Sequence, residues 1–196
     1  MKSFRTSIKA LFVAAVAAFS LSSCGYNTMI EKQENVEASW AQVENVYQRR
    51  ADLIPNLVAT VKGYAQHEEE TLKGVIEARS KATSITIDAS NLNEESFKQF
   101  QQAQDGLSSA LSRLLAVQEN YPDLKANEQF KDLMVQLEGT ENRITVERQK
   151  FNDAARDYNT YIRQFPNNII AGMFSFTAKP YFTAAAGAEN APKVEF

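Results

Sequence analysis

The chain has little of what most catalytic chemistry needs. In 196 residues there is one cysteine, Cys24, and one histidine, His67. A single cysteine excludes an intramolecular disulfide. One Cys and one His cannot build a Cys/His zinc site or a pair of Glu-x-x-His di-metal half-sites. Seven glycines and five prolines are about half the usual share, so turns are scarce and long uninterrupted elements follow. Excess charge of either sign is also missing: 21 Lys and Arg stand against 24 Asp and Glu, with no basic face for nucleic acid. Ser and Thr are scattered without a Gly-x-Ser-x-Gly elbow. No Gly-x-x-x-x-Gly-Lys-Ser/Thr loop or Gly-x-Gly-x-x-Gly turn is present. No cofactor or metal is expected, and the reading is non-enzymatic.

What is present begins with an address. Lys2, Arg5 and Lys9 form a basic start, and the apolar run Ala10 to Phe19 follows, with small residues before Cys24. The run is too short for a hydrocarbon core about 30 Å thick, which needs about 20 apolar residues. Leu21-Ser22-Ser23-Cys24 resembles a bacterial lipobox, which predicts a signal peptide over 1–23, cleavage, and diacylglycerol on the Cys24 thiol. An ordinary cleaved signal with an incidental Cys24 is the alternative, but the chain's only thiol stands at the one position lipidation requires. Loss of residues 1–23 removes three basic and no acidic side chains, taking the net charge from -3 to -6. Anionic lipid repels such a body, so the lipid anchor must hold it. By analogy with Gram-negative lipoproteins, Gly25 in place of an aspartate points to the outer membrane, facing the periplasm. Residues 24–28 are expected as a short link.

From Met29 to about Thr83, apolar residues recur at three and four: Val36, Trp40, Val43, Tyr47, Ile54, Leu57, Val61, Tyr64, Leu72 and Val75. That is the period of an amphipathic helix. Pro55 interrupts the stripe without breaking its phase, which leaves a kinked helix and a tight corner both open. Residues 84–92 read as a loop, and Asn91 or Asn93 caps a second helix carrying Phe97, Phe100, Leu107, Leu111 and Leu114. Asn127 caps a last helix of about 60 Å, with Phe130, Leu133, Leu137, Ile144, Phe151, Tyr158 and Ile162 in its stripe, ended by Pro166. Helices joined by short loops lie antiparallel, so residues 29–165 are expected to form an all-α, up-and-down bundle. The aromatic tail 166–196 is expected to be irregular and to fold back on one end of the bundle, with 184–191 its loosest stretch. A tail free to recognise a partner is the other reading.

The stripes also hold charges: Arg50, Glu68 and Arg79 on the first, Glu141 and Arg148 on the last. Charge at core positions is costly unless paired. These residues either form interhelical ion pairs that set register, snorkel at the edge, or line a ligand pocket. His67 with Glu68, Glu69 and Glu70 cannot converge on one ion, because sequence neighbours on a helix point about 100° apart. They read as a solvated face.

Four ordered stretches carry a family likeness. Arg49-Arg50-Ala51-Asp52-Leu53-Ile54-Pro55-Asn56-Leu57-Val58 continues through Thr60-Val61-Lys62-Gly63-Tyr64-Ala65 and His67-Glu68. Then come Glu119 to Ala126, Glu138 to Ile144, and Tyr158-Asn159 with Phe165-Pro166 and Asn168. Together they resemble the LemA family. The resemblance implies a four-helix bundle on the outer side of a bacterial membrane, with no family activity or ligand to carry over. A lipobox in place of the family's usual membrane helix is the departure. The block Arg49, Arg50, Asp52, Asn56 and Glu68, with Arg79, Glu141 and Arg148, is the place to look for function or register. The expected partners are the membrane through Cys24 and an envelope protein or a second copy. A small-ligand carrier is the alternative, and a hydrolase using Glu68 with His67 ranks third.

Overall fold

The structure is a computed structural model. It describes the backbone of residues 2–183 and the side chains of residues 25–90 and 92–183. Among the described residues it is all-helical, without strands. Six α-helices follow in order: α1 Lys2–Tyr64, α2 Glu69–Ser84, α3 Glu94–Val117, α4 Pro122–Ala126, α5 Glu128–Arg163 and α6 Asn167–Met173. Short 3-10 turns cover Ala89–Asn91 and Gln118–Asn120. Among the described residues no helix is long and apolar enough to cross a membrane.

The capping asparagines are where the sequence puts them. Asn93 accepts from the Ser96 N–H at 2.9 Å and Asn127 from the Phe130 N–H at 2.8 Å, each satisfying one orphan donor of a first turn. Pro122 opens α4 at a position where its missing N–H costs nothing, and Pro122–Ala126 is a five-residue helix. α2 begins with Glu69 and Glu70, which suits its dipole.

One boundary differs from expectation, and one open choice is decided. Residues 24–28 are part of α1 rather than a link, because Tyr26 and Met29 already pack: Met29 is fully buried and the Tyr26 ring lies 4.8 Å from Phe174. The alternatives at Pro55 resolve to one helix, since α1 continues through the exposed proline to Tyr64 and the chain reverses at residues 65–68.

α1 packs along α5, α2 along α3, and α1 against α2. The core divides into two clusters. Trp40, Val43, Tyr47, Phe97, Phe100, Phe151, Tyr158 and Phe182 make one; Ile54, Leu57, Val61, Val75, Leu107, Leu114, Phe130 and Leu137 make the other. Trp40 is the centre of the first, with the rings of Phe100, Phe151, Phe97 and Phe182 at 5.1, 5.5, 5.6 and 6.1 Å. These are offset and edge contacts of the kind that add to area burial. Arg50 and its partners lie at the seam between the two clusters.

The tail first packs at one end of the bundle, where α6 and Phe174 meet Gly25 and Tyr26 of α1. After α6, Ser175 takes a left-handed conformation (φ 59°) and the Phe176 N–H reaches back to Ala171 C=O at 2.9 Å, closing the helix. The chain then runs extended along the flank of α5 as far as Thr183. The stretch 184–191 lies outside the described residues.

Candidate functional site

Two of the charges in the stripes, Arg50 and Glu141, join Gln104 and Ser108 in a connected hub. Arg50 on α1 is 1% exposed and directs its guanidinium across the core. Nη1 donates to Ser108 Oγ on α3 and Glu141 Oε1 on α5, both at 2.8 Å. Nη2 donates to Gln104 Oε1 at 2.6 Å and, at 3.3 Å, to its backbone oxygen. Gln104 then donates from Nε2 to the Ala82 C=O at 3.2 Å, in the last turn of α2 where carbonyls lack helical partners. One planar fork thus fixes α1, α3 and α5 directly and α2 through a single amide. The pairing with Glu141 is direct, and that carboxylate is 41% exposed, so water lowers its desolvation penalty. Arg50 Nε has no hydrogen-bond partner, and its guanidinium carbon lies 5.1 Å from the Tyr47 ring centroid.

Arg79 solves a different problem. A proline within a helix has no N–H for the carbonyl four residues back, and for Pro55 that carbonyl belongs to Ala51. Arg79 Nε, coming from α2, donates to the Ala51 oxygen at 2.7 Å. The defect made by Pro55 is therefore an intermolecular-style socket between helices: α2 supplies the hydrogen bond that α1 cannot.

The other sequence-selected residues are dispersed. Arg49 is exposed and lines a groove of about 530 Å³ with Gln42, Asn45, Gln136, Thr140 and Arg143. Asp52 accepts from Gln48 at 2.7 Å on the exposed surface, and the Asn56 backbone oxygen accepts from Thr60. Glu68 receives the Tyr121 hydroxyl at 3.4 Å, a long contact, and His67 is exposed. Arg148 lies over Phe182, 4.5 Å from the ring centroid, and donates to the Thr183 oxygen at 3.3 Å. Cys24's side chain and the signal-peptide side chains lie outside the described residues. Among the described residues, no group of three or more His, Cys, Asp or Glu is placed to hold a metal.

A second site escaped the sequence reading. Asn159 holds Lys179 by both backbone groups, accepting from its N–H and donating to its oxygen at 2.8 Å each. Asn152 holds Phe182 in the same way, at 2.8 and 2.9 Å. Seven helical residues rise about 10.5 Å, and three extended residues about 10 Å, so two asparagines a heptad apart match two tail residues three apart. The amides act as a two-rung ladder for an extended segment. Lys179 also donates from Nζ to the Ser90 oxygen at 3.3 Å; its burial pushes the ammonium pKa down, against Glu37 and Asp88, which pull it up. Beside the strap runs a groove of about 730 Å³ lined by Phe97, Lys98, Gln101, Arg163 and Tyr181 among others. The available signal was the repeat of an aromatic followed by Asn in Phe151-Asn152 and Tyr158-Asn159, and for Gln104 its place on the stripe between Phe100 and Leu107.

In the first cluster, Trp40 Nε1 is buried without a partner of hydrogen-bond geometry. Glu44, one turn on, has its carboxyl pKa raised by burial and pulled partly back by the indole N–H.

Helices pinned by a buried arginine and strapped by an extended tail define an all-helical protein among the described residues. The LemA family model matches residues 39–196, and the chain belongs to the LemA family. Magnetosome protein MamQ 2 of Paramagnetospirillum magneticum is 29% identical over 174 residues, covering 80% of this chain and 64% of that protein. Magnetosome protein MamQ of Magnetospirillum gryphiswaldense is 28% identical over 175 residues, with the same coverage. Protein LemA of Metamycoplasma hominis is 24% identical over 145 residues, covering 74% of this chain and 63% of that one. The chain thus spans about two thirds of the length of these relatives, and none of their names carries a catalytic activity.

Proposed function

We propose that this chain is a membrane-tethered module of the bacterial cell envelope, a four-helix bundle of α1, α2, α3 and α5 that binds a protein partner or a second copy of itself and catalyses no reaction. The observation that carries the reading is the use made of the charges in its core. Arg50, Gln104, Ser108 and Glu141 join helix to helix, and Arg79 completes the backbone of α1. Those groups are spent on architecture, which leaves the outer helical faces as the working surface. The relatives named as magnetosome proteins support a membrane-associated role. Tethering is assigned to a lipid on Cys24, with the body on the periplasmic side of the outer membrane. Fractionation tests the tether: the parent chain goes with membranes and Cys24→Ala is released. A Cys24→Ala chain that stays with the membrane, or a purified N-terminus with an unmodified thiol, removes this reading. Cross-linking in intact cells tests the partner, and capture of neither an envelope protein nor a second copy removes the module role.

A small-ligand carrier draws on one feature, the groove where Arg49 and Arg143 stand among the amides of Gln42, Asn45 and Gln136. Arg143 is already paired with Glu147 at 3.2 Å, which halves the charge on offer. A small anion recovered from the denatured, gently purified protein would select this reading over the first.

A further inference from the structure

One end of the molecule is unlike the rest of its surface. From Gln164 to Ala178 the chain carries no charged side chain. Within that stretch Phe165, Ile169, Met173 and Phe174 are 81%, 55%, 74% and 58% exposed. Ile169 and Met173 are four residues apart on α6, the spacing of one helical face, and Phe165 stands in the turn just before it. The opposite face of α6 is fixed: Ile170 and Ala171 are buried, and Ile170 and Asn167 press so closely on Gly25 that a Cβ there would lie 3.0 Å from Ile170 Cδ1 and 3.2 Å from Asn167 Oδ1. Tyr26 completes the seat, its ring 4.8 Å from Phe174 and 5.7 Å from Phe176. α6 is thus held rigidly with an apolar face turned outward.

What covers that face follows from its neighbour in the chain. Cys24, to which the lipid tether is assigned, adjoins Gly25 in the same unbroken helix, so the outward face of α6 and the tether share one end of the molecule. We infer that α6 rests on the lipid surface, its Ile169 and Met173 side chains and Phe165 in the turn before it entering the boundary between headgroups and acyl chains, as a second and non-covalent attachment that sets the tilt of the body. The inference rests on the reading that the N-terminal segment brings the chain to a membrane. Binding of such a face grows with the apolar area it buries. Without Lys or Arg in the stretch it does not depend on anionic lipid, which a net acidic chain would avoid.

An added tryptophan reports on the contact in the full-length chain as the difference from the parent, because native Trp40 is fully buried and out of reach of a quencher in lipid. Ile169→Trp and Met173→Trp are compared with Val135→Trp, which is exposed in the distant first half of α5. The probe is phosphatidylcholine vesicles with brominated acyl chains. At positions 169 and 173 the emission is expected to shift to shorter wavelength and lose about half its intensity or more, while position 135 is unchanged. The double variant Ile169→Ser/Met173→Ser is expected to bind the same vesicles at least several-fold more weakly with unchanged helicity. If the chain sediments with vesicles while positions 169 and 173 still emit as in water, the α6 contact is overturned and the tether stands. If it does not sediment, both fall. A shift at position 169 in buffer that disappears on dilution assigns the face to a second copy and overturns the lipid contact.

Discussion

The pairing of Pro55 with Arg79 makes a sharp thermodynamic prediction. Pro55→Ala restores an N–H in α1, and that N–H takes the Ala51 oxygen, the acceptor now used by Arg79. In the parent chain Arg79→Met therefore strands a carbonyl at the interface of α1 and α2. Hydrogen bonds from charged groups contribute about 1.5–3 kcal/mol, so a loss of about 2 kcal/mol is expected. In the Pro55→Ala background the same Arg79→Met substitution leaves no orphan, and the cost falls below about 1 kcal/mol. The difference, about 1 kcal/mol or more, is a coupling free energy of the size found for directly contacting groups. Urea unfolding of the parent, the two single variants and the double variant, followed by circular dichroism, supplies the four free energies. Equal costs of Arg79→Met in both backgrounds would refute the reasoning, since Arg79 would then act by charge or packing alone.

Other outcomes follow from the same geometry. Arg50→Met leaves Gln104 Oε1 and Ser108 without their donor and is expected to destabilise by about 2–4 kcal/mol, against less than about 1 kcal/mol for Glu141→Gln on the half-exposed side, read from urea midpoints. Asn159→Ala removes one rung of the tail ladder, so proteolysis between residues 174 and 183 should accelerate at least several-fold while the global midpoint moves little; an unchanged cleavage rate would count against the ladder. Burial raises the Tyr158 hydroxyl pKa to about 12, with Glu37 adding to the rise. The folded state therefore holds this proton more tightly than the unfolded chain, whose tyrosines titrate near 10. The stability it contributes is whole below pH 10 and is lost as the pH rises toward 12. Tyr158→Phe should push the alkaline unfolding midpoint upward, monitored by tyrosinate absorbance.

The periodic stripes determined that the chain is helical and, Tyr64 apart, which of their apolar residues face inward, because a 3.6-residue period is a local property written every turn. The capping sites at Asn93 and Asn127 were equally local, since a cap acts within three residues. Arg50 was legible as an anomaly, a charge on an apolar stripe, but its partners were not. Ser108 and Gln104 lie more than fifty residues away and Glu141 ninety-one, and only docking of α3 and α5 brings them within reach. The fate of Pro55 was decided in the same way. Local rules allow a kink or a corner, and the choice passed to Arg79, a residue 28 positions from the carbonyl it satisfies. The course of the tail depended on a coincidence of rises between α5 and an extended segment, which no window along a single segment contains. Sequence sets what each helix can bury, whereas the satisfaction of buried polar groups is a condition on pairs of distant residues and is settled only when the helices meet.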